Sequence, residues 1–138
     1  MNDTRWRPGD PVDWNRPGEL WTAGGLHAFV VESKGARSGR IQRAVLGYLD
    51  DGLDAWLIIG SKGGAPTDPA WVHNLEASPS ATVVMPDGSR VPVRAERLQG
   101  AAEYRAWDRV ASEAPEYLTY RSRTDRSIPI IRLERALD

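Results

Sequence analysis

The sequence predicts one mainly β domain of the α+β class, a small barrel of about six strands with two or three helices. Three observations carry this. Short apolar or alternating segments recur between residues 26 and 133, each closed by Gly, Pro or Asp. Helical periodicity is confined to a short stretch after residue 68 and a longer one after residue 99. The chain has 138 residues, 41% of them apolar, which is the size of one domain and enough for a core without metal or disulfide staples.

Residues 1–24 read as an irregular arm, because Pro8-Gly9, Asp10-Pro11 and Pro17-Gly18 interrupt any helix. Trp6, Trp14 and Trp21 lie among these breaks, so the arm is expected to cover the domain or a partner subunit. Residues 25–138 form the domain proper. Leu26–Ser33 and Ile41–Leu49 read as strands joined by the turn Lys34–Gly39. Asp50-Asp51-Gly52 closes the second strand, and Ala55–Gly60 reads as a third, apolar on both faces. Asp68-Pro69 signals a helix start, with Asp68 as cap and the helix ending before Pro79. Ala81–Met85 and Val91–Leu98 form a hairpin around Pro86-Asp87-Gly88-Ser89. Gly100–Glu113 is the strongest helix, with Ala102, Trp107, Val110 and Ala111 expected on its inner face. Tyr117–Arg123 forms a further turn, and Ile128–Leu133 the closing strand.

Composition removes several classes of function. With no Cys there is no disulfide scaffold, thiolate zinc site, iron–sulfur cluster or thiol nucleophile. Zero Cys fits a reducing cytoplasm, and the N-terminus lacks the apolar region of a signal peptide. No apolar run approaches the ~18 residues of a membrane span, so no integral membrane contact is expected. A net charge of −1 disfavours nucleic acid as a partner. Lys34 and Lys62 are the only lysines, the other basic residues being Arg, as a GC-rich genome would produce.

Four segments could carry chemistry. Lys34-Gly35-Ala36-Arg37-Ser38-Gly39-Arg40 with Arg43 places four cations and two glycines within ten residues. Glycines let backbone N–H groups converge on an anion, and arginines grip phosphate or carboxylate. A solvated hairpin in an Arg-rich chain would have the same composition. Gly60-Ser61-Lys62-Gly63-Gly64-Ala65 follows a buried strand and precedes a helix N-terminus, where amides, a lysine and the helix dipole converge. It has neither Walker nor dinucleotide-fold spacing, and a plain connection remains open. In the third, Trp71, Asn74 and Leu75 share a helix face. Trp71 and Leu75 suit a core there, and Asn74 needs a backbone or ligand partner. His27 and His73 have no ligand spacing, so structural roles are expected and no metal site. The fourth places Tyr117 and Tyr120 three residues apart, phenols that either donate protons or simply pack, followed by Asp125-Arg126 as a turn-fixing pair.

Together the four segments resemble the deazaflavin-dependent nitroreductase family. Arg37-Ser38-Gly39, Ala55–Ala65 ending in SKGGA, Pro69–Pro79 and Tyr120–Pro129 ending in RTDRSIP occur in the family's order and spacing, over about residues 28–134. The resemblance implies a split β-barrel that binds the deazaflavin coenzyme F420 and passes its hydride to a small electron-poor acceptor, a quinone, nitroaromatic or activated enone. The coenzyme's phosphate and oligoglutamate tail need an anion-binding groove. Lys34, Arg37, Arg40 and Arg43 would supply cations, and Ser38 and Gly39 backbone donors. The resemblance puts Ser61, Lys62, Gly63, Gly64 and Ala65 along the deazaflavin and phosphate, with Trp71 and Asn74 beside them. Tyr120, Tyr117 and Ser61 fall near the acceptor pocket and are the candidate catalytic residues, Tyr120 first.

The chain departs from the family at Gln42 and Val45, where Arg and Pro are common. Arg43 lies on the opposite strand face from Gln42, which leaves Arg40 to take that cation's place. The broken N-terminal arm also differs from the family's apolar helix. The favoured reading is an F420-dependent reductase whose partner is a small-molecule acceptor. A deazaflavin- or FMN-binding carrier is the rival reading, and the same barrel using FMN is a third. The Trp-rich arm is compatible with a homodimer.

Overall fold

The computed structural model describes residues 22–23 and 26–137. The arm's tryptophans and breaks before Thr22 lie outside the described residues. At the arm's end Thr22–Ala23 is not irregular. It forms a two-residue strand, β1, opposite Leu26 and His27.

Six longer strands follow: β2 (Leu26–Lys34), β3 (Ile41–Asp50), β4 (Ala55–Ile59), β5 (Ser80–Val84), β6 (Arg90–Arg97) and β7 (Ile130–Arg135). The helices are α1 (Ala70–Ala77), α2 (Gly100–Glu113) and α3 (Glu116–Ser122). All neighbouring strands are antiparallel, in the order β1-β2-β3-β4-β7-β6-β5. β2 also pairs with β5, from Val30 opposite Val84 to Glu32 opposite Thr82, and this closes the six long strands into a barrel.

Strand alternation divides the apolar residues between two cores. Phe29, Val31, Trp56, Ile58, Val83, Val91, Val93, Ile131 and Leu133 fill the barrel, and Trp71, Val72 and Leu75 of α1 pack with them. Phe29 stacks on Tyr48 at 4.4 Å and meets Trp56 edge-on. The opposite faces of β4 and β7, through Leu57, Ile59 and Ile130, pack on Ala106, Trp107, Val110, Ala114 and Tyr117 of the α2–α3 segment. β4 is therefore buried on both faces, as its uninterrupted apolar sequence predicts. On α2 the inner face is Ala106, Trp107 and Val110, whereas the expected inward Ala111 is exposed and Ala102 half-buried. Trp107 fixes this rotation, and Ala111 then falls outside the apolar stripe. The Arg121 guanidinium sits 4.3 Å from the Trp107 ring and ties α3 to α2.

Candidate functional site

The basic turn folds on itself before any side chain takes part. Gly35 N–H donates to the Arg40 carbonyl at 2.7 Å, and Gly39 N–H to the Gly35 carbonyl at 2.9 Å. Ser38 Oγ accepts from Arg40 N–H at 3.1 Å, so this hydroxyl closes the turn. Gly39 has φ +72°, which favours glycine, and a Cβ on Gly35 would meet Ser38 Oγ at 2.7 Å. Lys34, Arg37 and Arg40 are exposed.

Asn74 pins the turn from α1. Its Oδ1 accepts from Ala36 N–H at 2.9 Å, and its Nδ2 donates to Gln42 Oε1 at 2.8 Å and, more weakly, to Ser33 Oγ at 3.5 Å. The partner that this buried amide requires is thus the protein's own backbone and Gln42. Trp71 lies in the barrel core. Both residues therefore shape the site from behind.

Arg43 is engaged elsewhere. It donates through Nε to Glu32 Oε2 at 2.8 Å, and Arg90 holds the other oxygen of the same carboxylate. Burial alone would raise the Glu32 pKa, but the two guanidinium bonds outweigh it and hold the carboxyl below the usual range. Glu32 and Arg43 sit directly opposite on β2 and β3. Of the four cations expected to line one groove, Arg43 therefore binds a carboxylate on the strand face opposite Gln42.

The second segment, Gly60–Ala65, is organised by a residue sequence reasoning assigned elsewhere. Arg126 donates to the carbonyls of Gly60 (3.1 Å), Ser61 (2.8 Å) and Ala65 (2.8 Å), and to Asp68 Oδ1 (2.7 Å). Two expectations change. Arg126 pairs with Asp68 and not with its neighbour Asp125. Asp68 makes no cap, because Pro69 takes that position without a side-chain bond. A carboxylate already paired with arginine thus precedes α1.

Within the loop Ser61 is right-handed (φ −75°, ψ −37°), and Lys62, Gly63 and Gly64 have φ values of +45°, +64° and +86°. Lys62 is the one non-glycine residue with positive φ among the described residues. A right-handed residue followed by a left-handed one makes adjacent N–H groups converge, a nest for an anion. Gly64 admits no side chain, since a Cβ would lie 2.5 Å from the Tyr120 carbonyl oxygen and 2.7 Å from Arg123 Cβ. The close approach brings α3 onto this loop. Ser61 is buried and Lys62 exposed.

Tyr117 and Tyr120 meet edge-to-face at 5.5 Å, but they are not equivalent. Tyr117 is buried in the outer core, and burial, with Tyr120 and Glu116 adding to it, pushes its pKa up to about 12. Tyr120 is half-buried, with the Arg123 guanidinium 5.7 Å from its ring. His27 and His73 are both exposed.

α1 connects the two loops within a single turn. Val72 lies against Gly60, where a Cβ would come within 2.9 Å of it, and Asn74, about 3 Å further along the axis, bonds Ala36. A closed six-strand antiparallel barrel with three helices is the architecture of the split β-barrel reductases. The chain belongs to the F420H(2)-dependent quinone reductase family, whose sequence model matches residues 16–135. It is an oxidoreductase that uses coenzyme F420. It is 36% identical to an F420H(2)-dependent quinone reductase of Mycobacterium tuberculosis over 110 residues, 78% of this chain and 73% of the relative. Among solved structures it is similar to an F420-H2 dependent reductase (29% identity, TM-score 0.69, 78% of this chain and 93% of the other). A structure described as a domain-swapped dimer matches at the same identity and TM-score, over 78% of this chain and 79% of the other. Among the described residues no helix is long and apolar enough to cross a membrane.

Proposed function

We propose that this chain uses reduced F420 to reduce a quinone or a similarly electron-poor small acceptor, holding the cofactor between the Lys34–Arg40 turn and the Ser61–Ala65 loop. The observation that carries the proposal is the pair of loops fixed on either side of α1, one presenting exposed cations and the other a nest with Lys62. This donor set fits the cofactor. A phosphate suits convergent backbone amides, and an oligoglutamate tail suits an extended run of Lys34, Arg37 and Arg40. F420 supplies the hydride chemistry when bound, while the chain supplies binding, orientation and a proton. Reduction builds negative charge on an acceptor oxygen, which a phenol can neutralise. Tyr120 suits this role better than Tyr117, because its side chain is half-exposed and its backbone abuts Gly64, whereas Tyr117 is buried, which raises the pKa of its phenol. Ser61, at the base of the loop, is the alternative donor.

The quinone is proposed because the relatives are named for it. A cytoplasmic setting is supported by the absence of Cys from the sequence, and a homodimer by the domain-swapped relative.

Titration with F420, FMN and FAD, followed by turnover of menadione with reduced F420, tests the proposal. F420 should bind tightest, and its affinity should fall as salt rises. Arg37→Ala with Arg40→Ala should weaken F420 binding by about tenfold or more, since each charge-assisted bond contributes about 1.5–3 kcal/mol. Unchanged affinity in the folded double variant, or tightest binding of FMN, would remove the groove assignment.

A further inference from the structure

We infer that Arg126 is a positioning residue that converts the Ser61–Ala65 loop into an anion receptor and so sets F420 affinity without touching the cofactor. The inference rests on the reading of that loop given above.

In a trans peptide the C=O of one residue and the N–H of the next point in opposite directions, and the described chain has no cis peptide. The Gly60 and Ser61 carbonyls both point at the Arg126 guanidinium, at 3.1 and 2.8 Å. The N–H groups of Ser61 and Lys62 must then point away from it, side by side. The third carbonyl, of Ala65, precedes Pro66, which has no N–H. One planar group on one side of the loop thereby aims two adjacent amides at the other.

The clamp also explains the backbone of Lys62. A side chain at φ +45° is strained and persists where the surroundings over-determine it. Here Arg126 holds the carbonyls before and after the turn, and Gly64 and Ala65 donate to Ser61 and Lys62 inside it, at 2.8 and 3.1 Å. The task suits arginine alone, because lysine has no fixed fork to direct bonds at separate carbonyls. Asp68 completes the arrangement. It neutralises a guanidinium whose side chain is only 13% exposed, so Arg126 does not itself attract the anion. Arg126 stands six residues after Tyr120, so the clamp also anchors the segment that brings α3 against Gly64.

The test compares Arg126→Lys, which keeps the charge and removes the fork, with Lys62→Ala, which removes a proposed direct contact. Backbone amide NMR of the cofactor-free protein, F420 titration, thermal midpoints and the kcat and KM of menadione turnover are measured on both. Arg126→Lys should shift the Ser61–Gly64 amides and leave those of β5 and β6 in place. Its F420 dissociation constant should rise about tenfold, with KM for reduced F420 rising in step and kcat changing less than about threefold. If Arg126→Lys does not fold, Asp68→Asn removes the carboxylate that orients the guanidinium while keeping its fork, and should displace the same amides. Wild-type affinity and unmoved loop amides in the folded Arg126 variant (or in Asp68→Asn, where that stands in), alongside weakened binding in Lys62→Ala, would overturn the inference and leave the loop as the site. Wild-type affinity in all of them would remove the loop itself.

Discussion

Asn74 of α1 donates from Nδ2 to Gln42 Oε1 on β3 at 2.8 Å, while its Oδ1 receives the Ala36 N–H at 2.9 Å. A single buried amide thus holds both limbs of the basic turn to the helix. Gln42 accepts from the helix and so serves the turn as a second anchor. The cations that remain on the turn, Lys34, Arg37 and Arg40, stand on a frame fixed from behind.

Removing that anchor should cost both stability and affinity. Asn74→Ala leaves the Ala36 N–H and Gln42 without their partner, a loss of about 1–3 kcal/mol. F420 affinity should fall about threefold to tenfold as the turn loosens. Calorimetry and fluorescence titration measure the two effects. An unchanged melting temperature would show that water replaces the amide at no cost.

Glu32 gives an acid-side prediction. Arg90 and Arg43 hold its carboxyl below the usual range, so its contribution to stability is full above the unfolded-state value and is lost as pH falls through the lower folded value. Glu32→Gln should destabilise the protein at pH 7 by about 1–3 kcal/mol. The gap from wild type should narrow below about pH 4.5, the ordinary carboxyl value. Urea unfolding at pH 7 and pH 3.5 checks this, and a pH-independent gap would assign the effect to packing.

Tyr117 gives the opposite limb. Its folded pKa, raised to about 12, exceeds the ordinary value of 10, so its contribution is full below pH 10 and is lost as pH rises toward 12. Wild type should lose stability between these values faster than Tyr117→Phe. Parallel melting curves for the two proteins from pH 9 to 11.5 would contradict the assignment.

Tyr120→Phe keeps the ring against Tyr117 and removes only the hydroxyl. Loss of a proton donor to a developing oxyanion costs about 10²–10³ in rate where no substitute exists. With water as a partial substitute, menadione turnover should drop about tenfold or more while F420 affinity stays near wild type. Normal turnover would make Tyr120 a wall of the pocket.

The barrel was legible because each strand carries its own signal. Ala55–Ile59 announces burial on both faces, and the turn around Asp87-Gly88 joins two alternating strands. The need of Asn74 for a partner was equally legible, since a buried amide must be bonded, but its choice of Ala36 and Gln42 depends on tertiary packing. Arg126 was not legible. Its acceptors lie about 60 residues upstream and three are backbone carbonyls, which leave no mark on sequence. Asp68 misled for a related reason. Next to Pro69 it satisfies every local rule for a cap, and only the folded chain offers it an arginine. Arg43 followed the same logic, with Glu32 opposite it on the neighbouring strand.

The pairing of β2 with both β3 and β5 gives each of the six long strands a neighbour on both sides over part of its length. An open sheet must spend charge and proline along its borders to deter fibril-like stacking. Where it is closed this ring carries no such obligation, and of the 34–40 turn and the 61–65 loop only Lys34, opposite Ile41, contributes a backbone rung to it. Their cations can be exchanged, added or deleted over evolutionary time without inviting aggregation, which leaves ligand preference free to drift on an unchanging scaffold.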